Sequence, residues 1–344
     1  MATVSDNVTA QITVDTCPAR DVYLAVFYIY IYLISPTNVV GLCLNSLCMV
    51  IFHRMKSKMT YIYLLKALAL SDISYILVCF MYFTVRHLLA LVEQGSKEVY
   101  GRWDPDIGPV LFYATGPLYY VTQHIRNWLT VLISIDRFIH LVFPMWAIKQ
   151  CTKKALNKWI LLIVWVAMAC NLPRYAAYFI IDAPNACKAG EQGMAIEFAS
   201  WMWLHNSAVG TILIVVTPLI ILYVMNSLLI FNLRQSASKR MTLRGNKPTD
   251  AETQRQQQQR ATTVVISVAV IFTFCETPGC MHRLAILAGV NFEPDDPFFN
   301  YALKIALWLT TANSAMNFFA YVTFNKSFRK TLRDSLTLCA GSID

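Results

Sequence analysis

The sequence predicts an all-α membrane protein, a seven-transmembrane helix bundle followed by a short C-terminal amphipathic helix. Three observations predict it. Of 344 residues, 56% are hydrophobic and only 14% charged, against roughly 25% charge in a soluble domain. Mean hydropathy is +0.47. The apolar residues also fall in runs of ~20 or more, the length that crosses a hydrocarbon core. Inside lipid a backbone must satisfy its own hydrogen bonds, so these runs are helices.

The runs lie near residues 27–52, 62–90, 110–140, 156–181, 204–233, 261–290 and 299–323. Residues 1–26 then form an extracellular N-terminus, 27–323 the membrane domain, and 324–344 a cytoplasmic helix and tail. Residues 1–25 lack a basic segment followed by an apolar core, so the first span is expected to serve as its own insertion signal. Asn7-Val8-Thr9 is a glycosylation sequon, usable if the N-terminus is outside. Residues 234–260, with Gln256–Gln259 and few apolar side chains, read as a flexible loop. Over 324–339, Phe324, Phe328, Leu332 and Leu336 recur every four residues, with Lys326, Arg329, Lys330 and Arg333 between them. That pattern is a helix lying on the inner membrane surface. Cys339 is either palmitoylated there or an unmodified thiol.

Charge sets the orientation. The net charge is +9, and the connections that carry Arg54, Lys56, Lys58, Lys149, Lys153, Lys154, Arg234, Lys239 and Arg240 alternate with connections rich in acids. The latter hold Glu93, Glu98, Asp104, Asp106, Glu191, Glu197, Glu293, Asp295 and Asp296. By the positive-inside rule the N-terminus is outside and the C-terminus inside. Topology and attraction to anionic lipid account for the basic charge, and no nucleic-acid partner is needed. Cys17 and Cys187 are the only cysteines on the outer side. In that oxidising space they are expected to form a disulfide, with two free thiols as the alternative.

Ionisable groups within a span are costly and default to function. Here they are Asp72 in the second helix, Arg126 and Asp136-Arg137 in the third, and Glu276 in the sixth. Asn45, Asn313, Ser314 and Asn317 add amides and a hydroxyl suited to interhelical hydrogen bonds. Arg126 lies eleven residues before Arg137, about 16 Å outward along a helix, where a lone guanidinium is costly. Asp72 is its expected partner and Glu276 the alternative. Pro173, Pro218 and Pro278 each sit inside an apolar run and permit a kink.

Motifs fall one per helix and in order: Gly41-Leu42-x-x-Asn45, Leu68-Ala69-Leu70-Ser71-Asp72, Asp136-Arg137-Phe138, Trp165, Pro218, Phe272-x-x-Cys275-x-x-Pro278 and Asn317-Phe318-x-x-Tyr321. Over residues 27–338 the chain resembles the rhodopsin-family G protein-coupled receptors. Within them it is most similar to invertebrate FMRFamide-type neuropeptide receptors, through Asn171-Leu172-Pro173-Arg174-Tyr175, Lys149-x-Cys151-Thr152, Leu64-Leu65-Lys66-x-Leu68-Ala69 and Asn317-Phe318-Phe319-Ala320-Tyr321.

The resemblance implies a ligand-driven population shift. Arg137, kept in place by Asp136, holds the inner ends of the third and sixth helices together at rest and then meets a heterotrimeric G protein. Tyr321 moves inward in the same step. The implied partners are an extracellular peptide, the G protein, arrestin and membrane lipid. No catalytic constellation and no cofactor is expected. Candidate ligand contacts are Gln123, Arg174 and Glu276 in the cavity, and Asp104, Asp106, Glu293, Asp295 and Asp296 at its rim. A basic peptide end, such as Arg-Phe-amide, would meet these acids. Family members often hold a sodium ion at the positions of Asp72, Asn313, Ser314 and Asn317; Arg126 beside them is expected to replace it.

The chain also departs from the pattern. The third-helix position that usually carries a disulfide cysteine is Phe112, and Glu276 stands where a tryptophan is frequent. Thr311 occupies the site where an opsin needs lysine, so retinal chemistry is excluded. A chemosensory receptor for small odorants is the alternative on the same architecture. A seven-helix transporter would show internal repeats or paired broken helices, and the sequence has none.

Overall fold

The computed structural model describes residues 28–55, 59–85, 107–181, 208, 210–241, 250–290 and 297–340. Seven long helices and a surface helix account for nearly all of them. They are α1 (Ile29–Arg54), α2 (Thr60–Val85), α3 (Ile107–Val142) and α4 (Lys153–Ile181). Then come α5 (a π-helical turn Ile212–Val216 running into Thr217–Met241), α6 (Asp250–Leu287), α7 (Pro297–Phe324) and α8 (Lys326–Ala340). A two-turn helix, Pro144–Gln150, joins α3 to α4. Asn7, Cys17, Asp104, Asp106, Cys187, Glu293, Asp295 and Asp296 lie outside the described residues, as does the side chain of Cys339.

Five of the spans are long and apolar enough to cross a bilayer on composition alone. The other two are α3, which holds Arg126, Asp136 and Arg137, and α7, which is rich in Asn and Thr. The topology places α3 at the centre, against α2, α4, α5 and α6, while α7 closes the ring between α6 and α1. Trp165, Leu161, Tyr223 and Phe274 point outward, as expected where lipid replaces a second protein layer.

Two bounds differ from the sequence expectation. The inner loop is shorter than 234–260, because α5 runs to Met241 and α6 begins at Asp250. Its Ala, Glu, Gln and Arg residues are good helix formers once the apolar half of α6 nucleates the helix. The second difference is the π-helical turns at Ile29–Ile34, Phe80–Val85 and Ile212–Val216, all at outer helix ends, for which hydrophobic periodicity gives no signal. The turn in α5 has a clear partner. Pro218 has no N–H, so the Ile214 carbonyl four residues back loses its usual donor. Asn127 on α3 donates to that oxygen through Nδ2 at 2.7 Å, and Trp128 Nε1 donates to the Leu213 carbonyl at 3.0 Å.

α8 forms as its periodicity predicts. Phe328 is fully buried, with its ring 5.2 Å from Phe52 and 5.8 Å from Tyr321. Asn325 accepts from the Phe328 backbone N–H and so caps the helix start. α1, α2 and α7 approach closely at Gly41, where an added Cβ would stand 2.9 Å from Ile76 Cδ1 and 3.5 Å from Ala315 Cβ. Gly41→Leu is expected to cost about 1–3 kcal/mol through overpacking. Gly41→Ala should cost little, because only the tip of Ile76 must yield. Thermal unfolding of the detergent-purified receptor would check this, and equal midpoints for the two variants would refute it.

Candidate functional site

Midway through the bundle a continuous polar chain links α2, α3, α6 and α7. Arg126 and Glu276 form an ion pair, Nη2 to Oε1, and both are fully buried. Arg126 Nη1 also donates to the Thr310 carbonyl at 2.9 Å and to Ser314 Oγ at 3.1 Å. Ser314 Oγ in turn donates to Asp72 Oδ1 at 2.8 Å, and Asn317 Nδ2 donates to Asp72 Oδ2 at 2.9 Å. The guanidinium stacks over Tyr75, 4.2 Å from the ring centroid. Asn45 ties α1 to this region, donating at 2.9 Å to both the Gly41 and the Ser314 carbonyls. Asn313 is buried in the same layer.

The expected Asp72–Arg126 ion pair is therefore not made. Arg126 turns to Glu276 and reaches Asp72 only through Ser314. Asp72 has two neutral donors of its own, Ser314 and Asn317, and Glu276 takes the guanidinium. The same geometry changes the reading of Glu276 as a contact for a basic ligand end, since its charge is already matched inside the protein. The oxygen set around Asp72 does not fit a sodium ion either. The Ser314 hydroxyl that would face the ion accepts from a fixed guanidinium, and that charge repels a second cation.

Above this layer, Arg283 Nη2 donates to Gln123 Oε1 at 3.3 Å. Arg174, 7% exposed, lies flat over Tyr120 with its Cζ 3.8 Å from the ring centroid, and its Nε donates to Asn171 Oδ1 at 3.1 Å. Asn171 is itself fixed by its Nδ2 donating to the Ala167 carbonyl at 2.8 Å. Arg283 approaches the same Tyr120 ring at 5.9 Å. The structure thus brings the sequence-derived candidates Gln123 and Arg174 to one site, and adds Tyr120 and Arg283. The sequence showed their types but not that both arginines turn to one aromatic face.

At the inner end Arg137 is buried and fully engaged. Its Nη2 and Nε donate to Asp136 Oδ2 at 2.5 and 3.1 Å, its Nη1 to Gln258 Oε1 at 3.1 Å, and its Nη2 also to Thr60 Oγ1 at 3.1 Å. Gln258 belongs to the helical extension of α6, so the link between the third and sixth helices is a hydrogen bond to a neutral amide. Asp136, His140 and Cys151 place three metal-ligand atoms within 4.8 Å. Arg137 already holds that carboxylate, and a divalent ion there would face its charge. Tyr321 is buried against Phe52, centroids 5.1 Å apart, and its hydroxyl has no hydrogen-bond partner among the described residues. Phe272 is buried against α3 and α5 through Val131 and Leu222, one and a half turns below Pro278, which lies inside α6. A cavity of about 550 Å³ opens at the inner face, lined by Met55, Tyr61, Gln258, Arg260, Asn325 and Lys326 among others.

A seven-helix bundle with a central polar chain and an Asp-Arg pair at the inner end of α3 is the architecture of a transmembrane receptor. The family described as 7 transmembrane receptor (rhodopsin family) matches residues 44–321, and the chain belongs to that family. Among its relatives, the FMRFamide receptor of Drosophila melanogaster is 20% identical over 314 residues, covering 88% of this chain and 53% of that protein. Sex peptide receptor-related protein 2 of Caenorhabditis elegans is 21% identical over 64% of this chain and 53% of its own length. Somatostatin receptor type 5 of Bos taurus is 23% identical over 94% of this chain and 78% of its own. The chain spans about half the length of the first two.

Proposed function

We propose that this protein is a peptide-activated receptor of the plasma membrane, with its N-terminus outside, that signals through a heterotrimeric G protein. The observation that carries the coupling is Arg137, buried between Asp136 and Gln258 beside an open inner cavity. An arginine held to α6 by one neutral hydrogen bond is readily released when α6 moves. Arrestin would compete for the same inner face, and anionic lipid would bind the cations of α8.

The peptide class is supported by the names of the relatives, an FMRFamide receptor, a sex peptide receptor-related protein and a somatostatin receptor. An amidated neuropeptide is accordingly the first candidate. The test is ligand-stimulated guanine nucleotide exchange in cells expressing the full chain with a G protein, challenged with a library of amidated neuropeptides. Nanomolar to micromolar activation by a peptide is the expected result. Activation by volatile small molecules with silence toward every peptide would replace this reading with the chemosensory one.

A further inference from the structure

Between α5 and α6 a groove of about 510 Å³ opens on the membrane-facing side, flanked by the exposed rings of Tyr223 and Phe274. Three hydroxyls line it, and each is satisfied within its own helix. Ser227 Oγ donates to the Tyr223 carbonyl at 2.8 Å, Thr273 Oγ1 to the Ala269 carbonyl at 2.8 Å and Thr277 Oγ1 to the Thr273 carbonyl at 2.6 Å. The amide that lines the same groove, Asn226, is different. It is 7% exposed, and its Oδ1 is buried with no hydrogen-bond partner among the described residues. We infer that this groove binds an uncharged, steroid-sized lipophile whose hydroxyl pairs with the Asn226 amide, and that its occupancy favours the resting packing of α5 and α6.

The helical spacing of Leu222, Asn226 and Leu229 puts the amide in the stripe that α5 buries, and both leucines are fully buried. An apolar side chain would pack there at no polar cost, whereas an unpaired amide gives up its bonds to water without replacement. The groove offers it a partner from the bilayer. Half a turn about the last torsion of Asn226 exchanges oxygen and nitrogen, and a hydroxyl both donates and accepts, so it answers either end. Depth selects the occupant. Asn226 lies eight residues from Arg234, and Thr273 thirteen from Arg260, roughly 12 and 20 Å along their helices in a hydrocarbon core ~30 Å thick. A phospholipid keeps its esters and headgroup at the interface, and its chains carry nothing that bonds an amide. A charged ligand is costly at this depth. A lipid-soluble alcohol fits, because its hydroxyl is itself unpaired in hydrocarbon and pairing relieves both partners. The volume lies within the roughly 300–1,000 Å³ of small-ligand sites. An occupant that touches both walls binds best at one spacing of α5 and α6 and shifts the population toward it. In the spacing described here Arg137 is engaged with Gln258 on α6, the resting arrangement. Binding in the groove is independent of the peptide reading; its effect on exchange rests on coupling to a G protein.

The test uses the full-length receptor in nanodiscs of phosphatidylcholine alone, titrated with androstanol, a steroid with one hydroxyl, and with androstane, the same skeleton without it. Thermal unfolding reads binding, and basal nucleotide exchange on added G protein reads the switch. On the wild type, androstanol should raise the unfolding midpoint and lower basal exchange several-fold. Androstane should need about 5- to 10-fold higher concentration for the same effects, the worth of one hydrogen bond. On Asn226→Leu, which removes the amide and keeps an apolar wall, the two steroids should become equipotent. Val270→Trp, which fills the groove from the exposed side of α6, should weaken both and leaves Asn226 in place. Failure of both steroids to shift the wild-type midpoint, equal potency of the two on the wild type, or a difference that persists in Asn226→Leu would overturn the site. A hydroxyl-dependent midpoint shift with unchanged basal exchange would overturn the regulatory role. Exchange that neither the basal receptor nor any peptide elicits would count against G protein coupling, with the midpoint shift still deciding the site.

Discussion

Glu276→Gln is expected to destabilise the receptor by about 3–5 kcal/mol, the cost of breaking a buried ion pair by removing one partner. The amide keeps the shape of Glu276 but leaves the fully buried Arg126 guanidinium without its ion-pair partner. Arg126 keeps its bonds to Thr310 and Ser314, which satisfy donors without cancelling charge. Arg126→Ser should cost a similar amount by stranding Glu276. The double variant, Arg126→Ser with Glu276→Gln, should recover most of the loss, because removing both charges also removes both desolvation penalties. Thermal unfolding of the purified receptor across the four members of the cycle measures this, and strictly additive losses would show that the two residues do not act as a unit. The same cycle tests the fixed internal cation. Basal nucleotide exchange of the wild type should be unchanged when sodium is replaced by a large organic cation at constant ionic strength. The double variant frees Asp72, Ser314 and Asn317 of the guanidinium and should become sodium-sensitive. Strong modulation of the wild type by sodium would rule out the internal cation.

Gln258→Glu is expected to lower basal exchange roughly fivefold, by converting the Arg137–Gln258 hydrogen bond into an ion pair worth about 1 kcal/mol more near the membrane surface. Gln258→Ala removes the link and should raise basal exchange by a similar factor. Arg137→Ala should abolish exchange altogether, since the same side chain that closes the resting state is proposed to contact the G protein. Thr60→Ala, which takes away another acceptor of Arg137, should act in the direction of Gln258→Ala but more weakly. Basal exchange that is the same in Gln258→Glu and Gln258→Ala would show that this contact does not set the resting population.

Much of this molecule is legible in one dimension. Seven apolar runs, the sidedness of Lys and Arg, the four-residue spacing of Phe324 to Leu336, and Asp136-Arg137 near the inner end of α3 depend on composition and local periodicity, and the membrane forces the helices. The height of each polar group also follows from its distance along a helix, which is why Arg126, Asp72 and Glu276 were expected in one layer. What sequence spacing does not contain is rotation and pairing between helices. Arg126 could face α2 or α6 at the same height. The structure turns it to Glu276, while Ser314 and Asn317 on α7 satisfy Asp72. Arg174 and Arg283 are 109 positions apart in the chain, and only the packing of α4 and α6 around α3 brings both to Tyr120. The Pro218 signal was visible, but the answer to its orphaned carbonyl, Asn127, lies on another helix. Local rules determined which groups had to be buried, and tertiary packing decided which of them satisfy one another, since a buried charge or carbonyl is stabilised by its neighbours in space and not by its neighbours in the chain.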